Sequence, residues 1–198
     1  MPSTAEKLMS LEEFLAWERD QPERYEYAAG VITMMTGASL AHATITMNVA
    51  IALRQALRGT GCRPFANDAK VLAGSSVRYP DVAVTCSPFS GADDIVPDPV
   101  LVIEVISPST EREDRGRKKF DYFATPSIQQ YAIIEQDARR IDLFTRAGDR
   151  WTDEVVEGDA TLRLSSVGVE ISLDAIYEDT ELDTTRPRTA GEPRAPAV

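Results

Sequence analysis

Ile45, Val49, Leu53 and Leu57 recur at steps of four, a single apolar stripe that predicts a long helix from a Ser39 cap to about Arg58, closed by Gly59 and Gly61. Upstream, Ser10-Leu-Glu-Glu13 has the S-x-x-E pattern of a capping box and opens a short helix through about Arg19. Between them, "ERYEYAAGVITMMTG" predicts a hairpin: Tyr25 to Tyr27, a turn at Ala28 to Gly30, then Val31 to Met35. Downstream, "CRPFANDAKVLAG" and "VRYPDVAVTC" predict two strands parted by Gly74-Ser75-Ser76. "VLVIEVI" is the most apolar strand, ended by Pro108. Thr110-Glu-Arg-Glu113 is a second capping box, and a helix to about Phe123 follows, stopped at Thr125-Pro126. "QQYAIIE" is a strand, "RIDLFTR" and "RWTDEVVE" form a hairpin over Ala147 to Asp149, and "TLRLSS" and "VEISL" are shorter strands before a small helix near Asp174 to Tyr177.

This order predicts an α/β or α+β layer fold with a mixed sheet flanked by helices and extra hairpins. The strand at 100–106, the helix at 111–123 and the strand at 129–135 form a βαβ unit, expected to be right-handed. One domain over 1–182 is expected, with a disordered tail over 183–198, where Pro, Thr, Arg and Ala follow no apolar pattern.

Composition narrows the function. Hydrophobic residues at 43% and charged residues at 27% are ordinary for a soluble globular protein. No apolar run approaches the ~20 residues needed to span a bilayer, and the N-terminus has no basic segment before an apolar core. Cys62 and Cys86 lack CxxC spacing and are expected to be ordinary thiols in a cytoplasmic protein. The net charge of -11 speaks against a nucleic-acid packager, which needs a broad basic surface, but leaves room for a nuclease with local basic contacts.

The apolar strand "LVIEVI" carries one anomaly, Glu104. A carboxylate flanked by Ile103 and Val105 must be paired, metal-bound or protonated. Tyr79-Pro80-Asp81 places a second carboxylate at the mouth of the preceding apolar strand, where proline suits a strand start. If the two strands pair, Asp81 and Glu104 share one face and repel unless a cation sits between them, and oxygen ligands favour Mg²⁺ or Mn²⁺. On the helix that follows, Asp114, Lys118 and Tyr122 stand at i, i+4 and i+8 and so share a face. Lys118 can lean back over the strand end to orient a water or stabilise charge on a phosphate.

Taken together, "RYPDVAV", "PVLVIEVISPSTEREDRGRKKFDYF" and "QQYAIIE" resemble the Uma2 family of restriction endonucleases, within the PD-(D/E)XK nuclease superfamily. "RYEYAAGVITMMTGASLAHATI" is similar to that family's opening. The resemblance covers roughly residues 10–178. It implies a restriction-endonuclease-like fold and a Mg²⁺-dependent endonuclease acting on DNA, with Mn²⁺ able to substitute. The ion would be held by Asp81, Glu104 and the Val105 carbonyl. A homodimer is expected, because cutting two strands needs two sites. The simplest form of the motif would put a lysine two residues after the glutamate, where Ile106 stands; the resemblance implies that Lys118 replaces it. Lys119 faces about 100° away on an ideal helix and is the weaker candidate.

Each of these residues also has a plainer reading. Asp81 can be a cap, Glu104 an edge-strand carboxylate, and Lys118 a solvated lysine paired with Asp114. Glu26 is either an exposed strand glutamate or a further carboxylate acting on the metal or water. His42, the only histidine, is either structural or a phosphate contact or proton carrier. "REDRGRKK" at 112–119 is either a mixed-charge solvated face or a phosphate-contacting patch that includes Arg112, Arg115 and Lys119. Trp17 and Trp151 are expected in core or interface, and Asp93 and Asp94 need no special role. The competing function is a catalytically weak or silent nuclease-fold module that binds a protein or nucleic-acid partner. A two-carboxylate glycosidase is less suited, since it has no use for the Lys118 helix.

Overall fold

The computed structural model describes residues 9–35, 37–106 and 114–184. Its centre is a six-stranded mixed sheet and its flank a four-stranded sheet. The central sheet comprises β3 (Arg63–Ala66), β6 (Val82–Thr85), β7 (Pro99–Ile106), β8 (Gln130–Glu135), β9 (Arg140–Ala147) and β10 (Arg150–Glu157), in the order β10-β9-β8-β7-β6-β3. Among the described strands, β7 and β8 alone pair in parallel, as the βαβ reading requires. The flanking sheet has the order β2-β1-β5-β4, from β1 (Tyr25–Ala28), β2 (Val31–Met34), β4 (Val71–Ala73) and β5 (Ser76–Arg78). A third hairpin joins β11 (Thr161–Leu164) to β12 (Val169–Ser172).

Alternation along the strands creates two cores. On one face of the central sheet, Val82, Val84, Leu101, Ile103 and Val105 pack against α2 (Leu40–Ala56), whose Ile45, Val49 and Leu53 form the predicted stripe. The β11–β12 hairpin and α4 (Leu173–Ile176) complete that layer. On the other face, Ala83, Val102, Ile106 and Tyr131 pack against β4 and against Tyr122 of α3 (Lys119–Ala124). A third cluster holds α1 (Leu11–Glu18) on the flanking sheet through Phe14, Tyr27, Val77 and Tyr79, with Trp17 beside Tyr25. Trp151 stacks on Phe123 at 4.0 Å between ring centroids, so both tryptophans are packing residues.

Four expectations are corrected. The stretch around 62–74 is two strands in different sheets, broken where Asn67 takes a positive φ of 62°. The stretch 77–86 likewise divides at Tyr79-Pro80-Asp81, because proline offers no N–H to continue a ladder. Cys62 and Cys86 are not free thiols but a disulfide. Arg63 faces Thr85 across the antiparallel β3–β6 pair, so the next pair outward is Cys62 and Cys86, with Cα atoms 4.0 Å apart. Cysteine usage therefore no longer argues for a reducing compartment. Finally, Asp94 does have a role: its carboxylate lies 2.8 Å from the buried Lys70 ammonium, which also meets Glu18 at 2.7 Å. The second capping box at Thr110 lies outside the described residues, and the described part of its helix opens with a π-helical turn, Asp114–Lys118, before α3. Among the described residues, no helix is long and apolar enough to cross a membrane.

Candidate active site

The site forms where the β6 start, the β7 end, β1 and the α3 entrance meet. Val82 faces Ile103 in the β6–β7 register, so Asp81 arrives across from Glu104. Glu104 projects to the same side as Val102 and Ile106, beneath α3, and is only 3% exposed. Its Oε1 accepts hydrogen bonds from Lys118 Nζ at 3.1 Å and from the Tyr122 hydroxyl at 2.7 Å. The helix thus returns both side chains to the strand end. Burial, with the charges of Glu104 and Glu26 behind it, drives the Tyr122 phenol well above its ordinary titration range, so it stays a donor.

Asp81 is oriented separately. Its Oδ2 accepts the Val105 N–H at 2.7 Å and lies 3.2 Å from His42 Nε2. His42 reaches it from the first turn of α2, which the Ser39 side chain caps through the His42 N–H. The ladder between β6 and β7 stops at Val82, so the Asp81 side chain takes over the next backbone donor of β7.

Glu26 comes from β1 of the other sheet and is 9% exposed, so the reading of it as an exposed strand glutamate is wrong. Its Oε1 lies 3.3 Å from Lys118 Nζ and accepts the Tyr79 N–H at 3.2 Å. Its Oε2 accepts from Arg78 Nη1 at 2.9 Å. Burial opposes ionisation of Glu26, but the Lys118 and Arg78 charges and these hydrogen bonds outweigh it and hold the carboxyl below its ordinary value of 4.5. Lys118 therefore spans carboxylates from both sheets.

The structure brings together Asp81, Glu104, Lys118, Glu26, His42 and Val105, the expected cluster. Lys119 is directed elsewhere, its ammonium 4.0 Å over the Phe144 ring. Arg115 is tied to Glu135 and Asp142 rather than presented at the site. Arg112 and the Asp114 side chain lie outside the described residues. Arg78 and Asp121 belong to the network but were not anticipated. Arg78 sits in the short strand "SVR" beside apolar neighbours, the same anomaly that drew attention to Glu104, and that was the signal for it.

Among the described residues, no three His, Cys, Asp or Glu side chains group around a single point as ligands for one ion. The donors at the β6–β7 edge are oxygens of two carboxylates and a backbone carbonyl, a set that suits Mg²⁺, which keeps several waters and takes one or two carboxylates. The ion the resemblance implies therefore fits these residues.

A mixed sheet with paired carboxylates at adjoining strand ends, roofed by a lysine-bearing helix, defines the architecture. A solved structure from Anabaena variabilis, described as "a putative nuclease belonging to DUF820", has a similar fold, with a TM-score of 0.70 at 19% identity, over 85% of this chain and 97% of that one. The chain belongs to the Uma2 family, whose model, described as "Putative restriction endonuclease", matches residues 11–175. An uncharacterized protein of Synechocystis sp. is 34% identical over 89% of this chain and 95% of its own length. A second uncharacterized protein from that organism is 29% identical over 73% of this chain and 84% of its own.

Proposed function

We propose that the chain is a metal-dependent endonuclease that hydrolyses phosphodiester bonds in DNA. The observation that carries this reading is the convergence of Lys118 and Tyr122 on the buried Glu104 beside Asp81. Family membership supports it. Among the described residues of the network, the carboxylates of Glu26, Asp81, Glu104 and Asp121 outnumber the cations of Lys118 and Arg78, a local excess that suits a divalent cation.

Asp81, Glu104 and the Val105 carbonyl would hold Mg²⁺, with Mn²⁺ able to replace it; a strand residue directs its N–H and C=O to the same edge, and the Val105 N–H already points at Asp81. When bound, the ion polarises the phosphate and lowers the pKa of a water. Lys118 Nζ, fixed between Glu26 and Glu104, orients the attacking water and meets negative charge developing on the phosphate. Tyr122 keeps Glu104 from rotating. The water oxygen bonds to phosphorus and gives up a proton to solvent, one P–O bond breaks, and the departing oxygen takes a proton, for which His42 is the nearby carrier. A homodimer would supply the second site for the second strand.

The test is cleavage of plasmid and single-stranded DNA with Mg²⁺ or Mn²⁺. Wild type should cut, and Glu104→Ala and Lys118→Met should lose at least about a hundredfold in rate. Absence of cutting by wild type would leave a nuclease-fold binding module, the reading that the net charge of -11 favours. Undiminished cutting by Glu104→Ala would refute the assigned site.

A further inference from the structure

We propose that Arg78 is a positioning residue that decides which carboxylate Lys118 serves. This goes beyond the nuclease reading, although its kinetic arm rests on that reading. Arg78 is 2% exposed and stands in β5, in the flanking sheet. Its guanidinium spans two acids from different elements: Nη1 donates to Glu26 Oε2 at 2.9 Å, and Nε and Nη2 donate to Asp121 Oδ2 at 3.0 and 2.7 Å. Asp121 is on α3, three residues beyond Lys118. One side chain therefore neutralises Glu26 and also fastens the lysine-bearing helix to the sheet.

Lys118 is under competing attraction. Glu26 Oε1 at 3.3 Å and Glu104 Oε1 at 3.1 Å draw the same ammonium in nearly equal measure. With Arg78 in place, Glu26 and Asp121 already have a cation, and Lys118 remains shared with Glu104. Without it, the buried Glu26 and the partly exposed Asp121 lose their common partner, and a charge at the depth of Glu26 interacts strongly with any cation in reach. The nearest mobile cation is Lys118, a point charge on a flexible stem, and it would swing toward Glu26 and Asp121 and off Glu104. A lysine at position 78 has a single nitrogen in place of the Nη1 that meets Glu26 and the Nε and Nη2 that meet Asp121, so it would hold one acid more closely than the other.

The experiment is a pair of readouts on wild type, Arg78→Met and Arg78→Lys. Crystal structures should show Lys118 Nζ beyond about 3.5 Å from Glu104 in both variants. Adding Glu26→Gln and Asp121→Asn to Arg78→Met removes the competing charges; it should return Lys118 to Glu104, and it provides a foldable comparison if the uncompensated acids unfold the single variants. With Mn²⁺ and DNA, turnover of the single variants should fall about a hundredfold with KM unchanged, the split expected when only the reacting step loses a group. Lys118 still bonded to Glu104 in Arg78→Lys, or a rise in KM with turnover intact, would overturn the proposal. If wild type cuts no DNA, the nuclease reading falls, and the crystallographic arm alone decides the role of Arg78.

Discussion

The Cys62–Cys86 disulfide gives a prediction whose size follows from the chain itself. It closes a segment with a sequence separation of 24 and pins the edge strand β3 to β6. In the chain-entropy account, a loop of that length removes enough freedom from the unfolded chain to be worth about 3.5 kcal/mol at 25 °C. For a protein of this size each kcal/mol moves Tm by about 2–4 °C, so reduction should lower Tm by roughly 7–14 °C. The assay is thermal unfolding with and without a phosphine reductant, on the wild type and on the Cys62→Ser/Cys86→Ser variant. The variant should match reduced wild type and ignore the reductant. Urea titration should show a slightly larger m value for the reduced form, because its unfolded state is less compact. A wild-type shift under about 2 °C, less than ~1 kcal/mol, would refute the assignment of the bridge as a stabilising crosslink.

Other expectations are more local. Tyr122→Phe deletes the hydroxyl that reaches Glu104 at 2.7 Å and should cost about 1.5–3 kcal/mol in urea unfolding with an unchanged m value. Glu26 is held below its ordinary value of 4.5, so its contribution to stability is fully present above that value and is lost as pH falls through the lowered one; Glu26→Gln should flatten the acid limb of stability measured by urea titration from neutral to acid pH. Lys70→Met strands Glu18 in the interior beside Tyr79 and should destabilise by about 3–5 kcal/mol, measured by the same titration. Lys119→Gln should leave DNA cleavage unchanged, since that side chain lies over Phe144 and away from Glu104.

The carboxylates and the lysine were legible in the sequence because each broke a local pattern. Glu104 interrupted an apolar run, Asp81 followed a proline at a strand mouth, and Lys118 and Tyr122 shared a helical spacing. Arg78 broke its pattern in the same way, but its partners lie in β1 and α3, and no local spacing connects residues 26, 78 and 121. The disulfide was hidden for a related reason. Cys62 and Cys86 flank β3 and β6 symmetrically, but that symmetry is visible only once those strands are separated from β4 and β5. The breaks fall at Asn67, which adopts a left-handed backbone, and at Tyr79-Pro80-Asp81, and apolar flanks on both sides masked them. The paired carboxylates of the central sheet follow from period-two alternation; the arrival of Glu26 from a second sheet depends on tertiary packing that alternation does not encode.

That Lys118 is held by Glu26 of one sheet and Glu104 of the other has a consequence for the chain during synthesis and repair. Neither sheet alone carries the constellation, and Lys118 and Tyr122 are translated after every strand of the flanking sheet. A nascent or partly unfolded chain therefore has the acids but not the assembled centre. Under the proposed function, native assembly would be the safety catch: a DNA-cutting activity built this way would switch on only when the two sheets have docked, and would switch off as soon as they part.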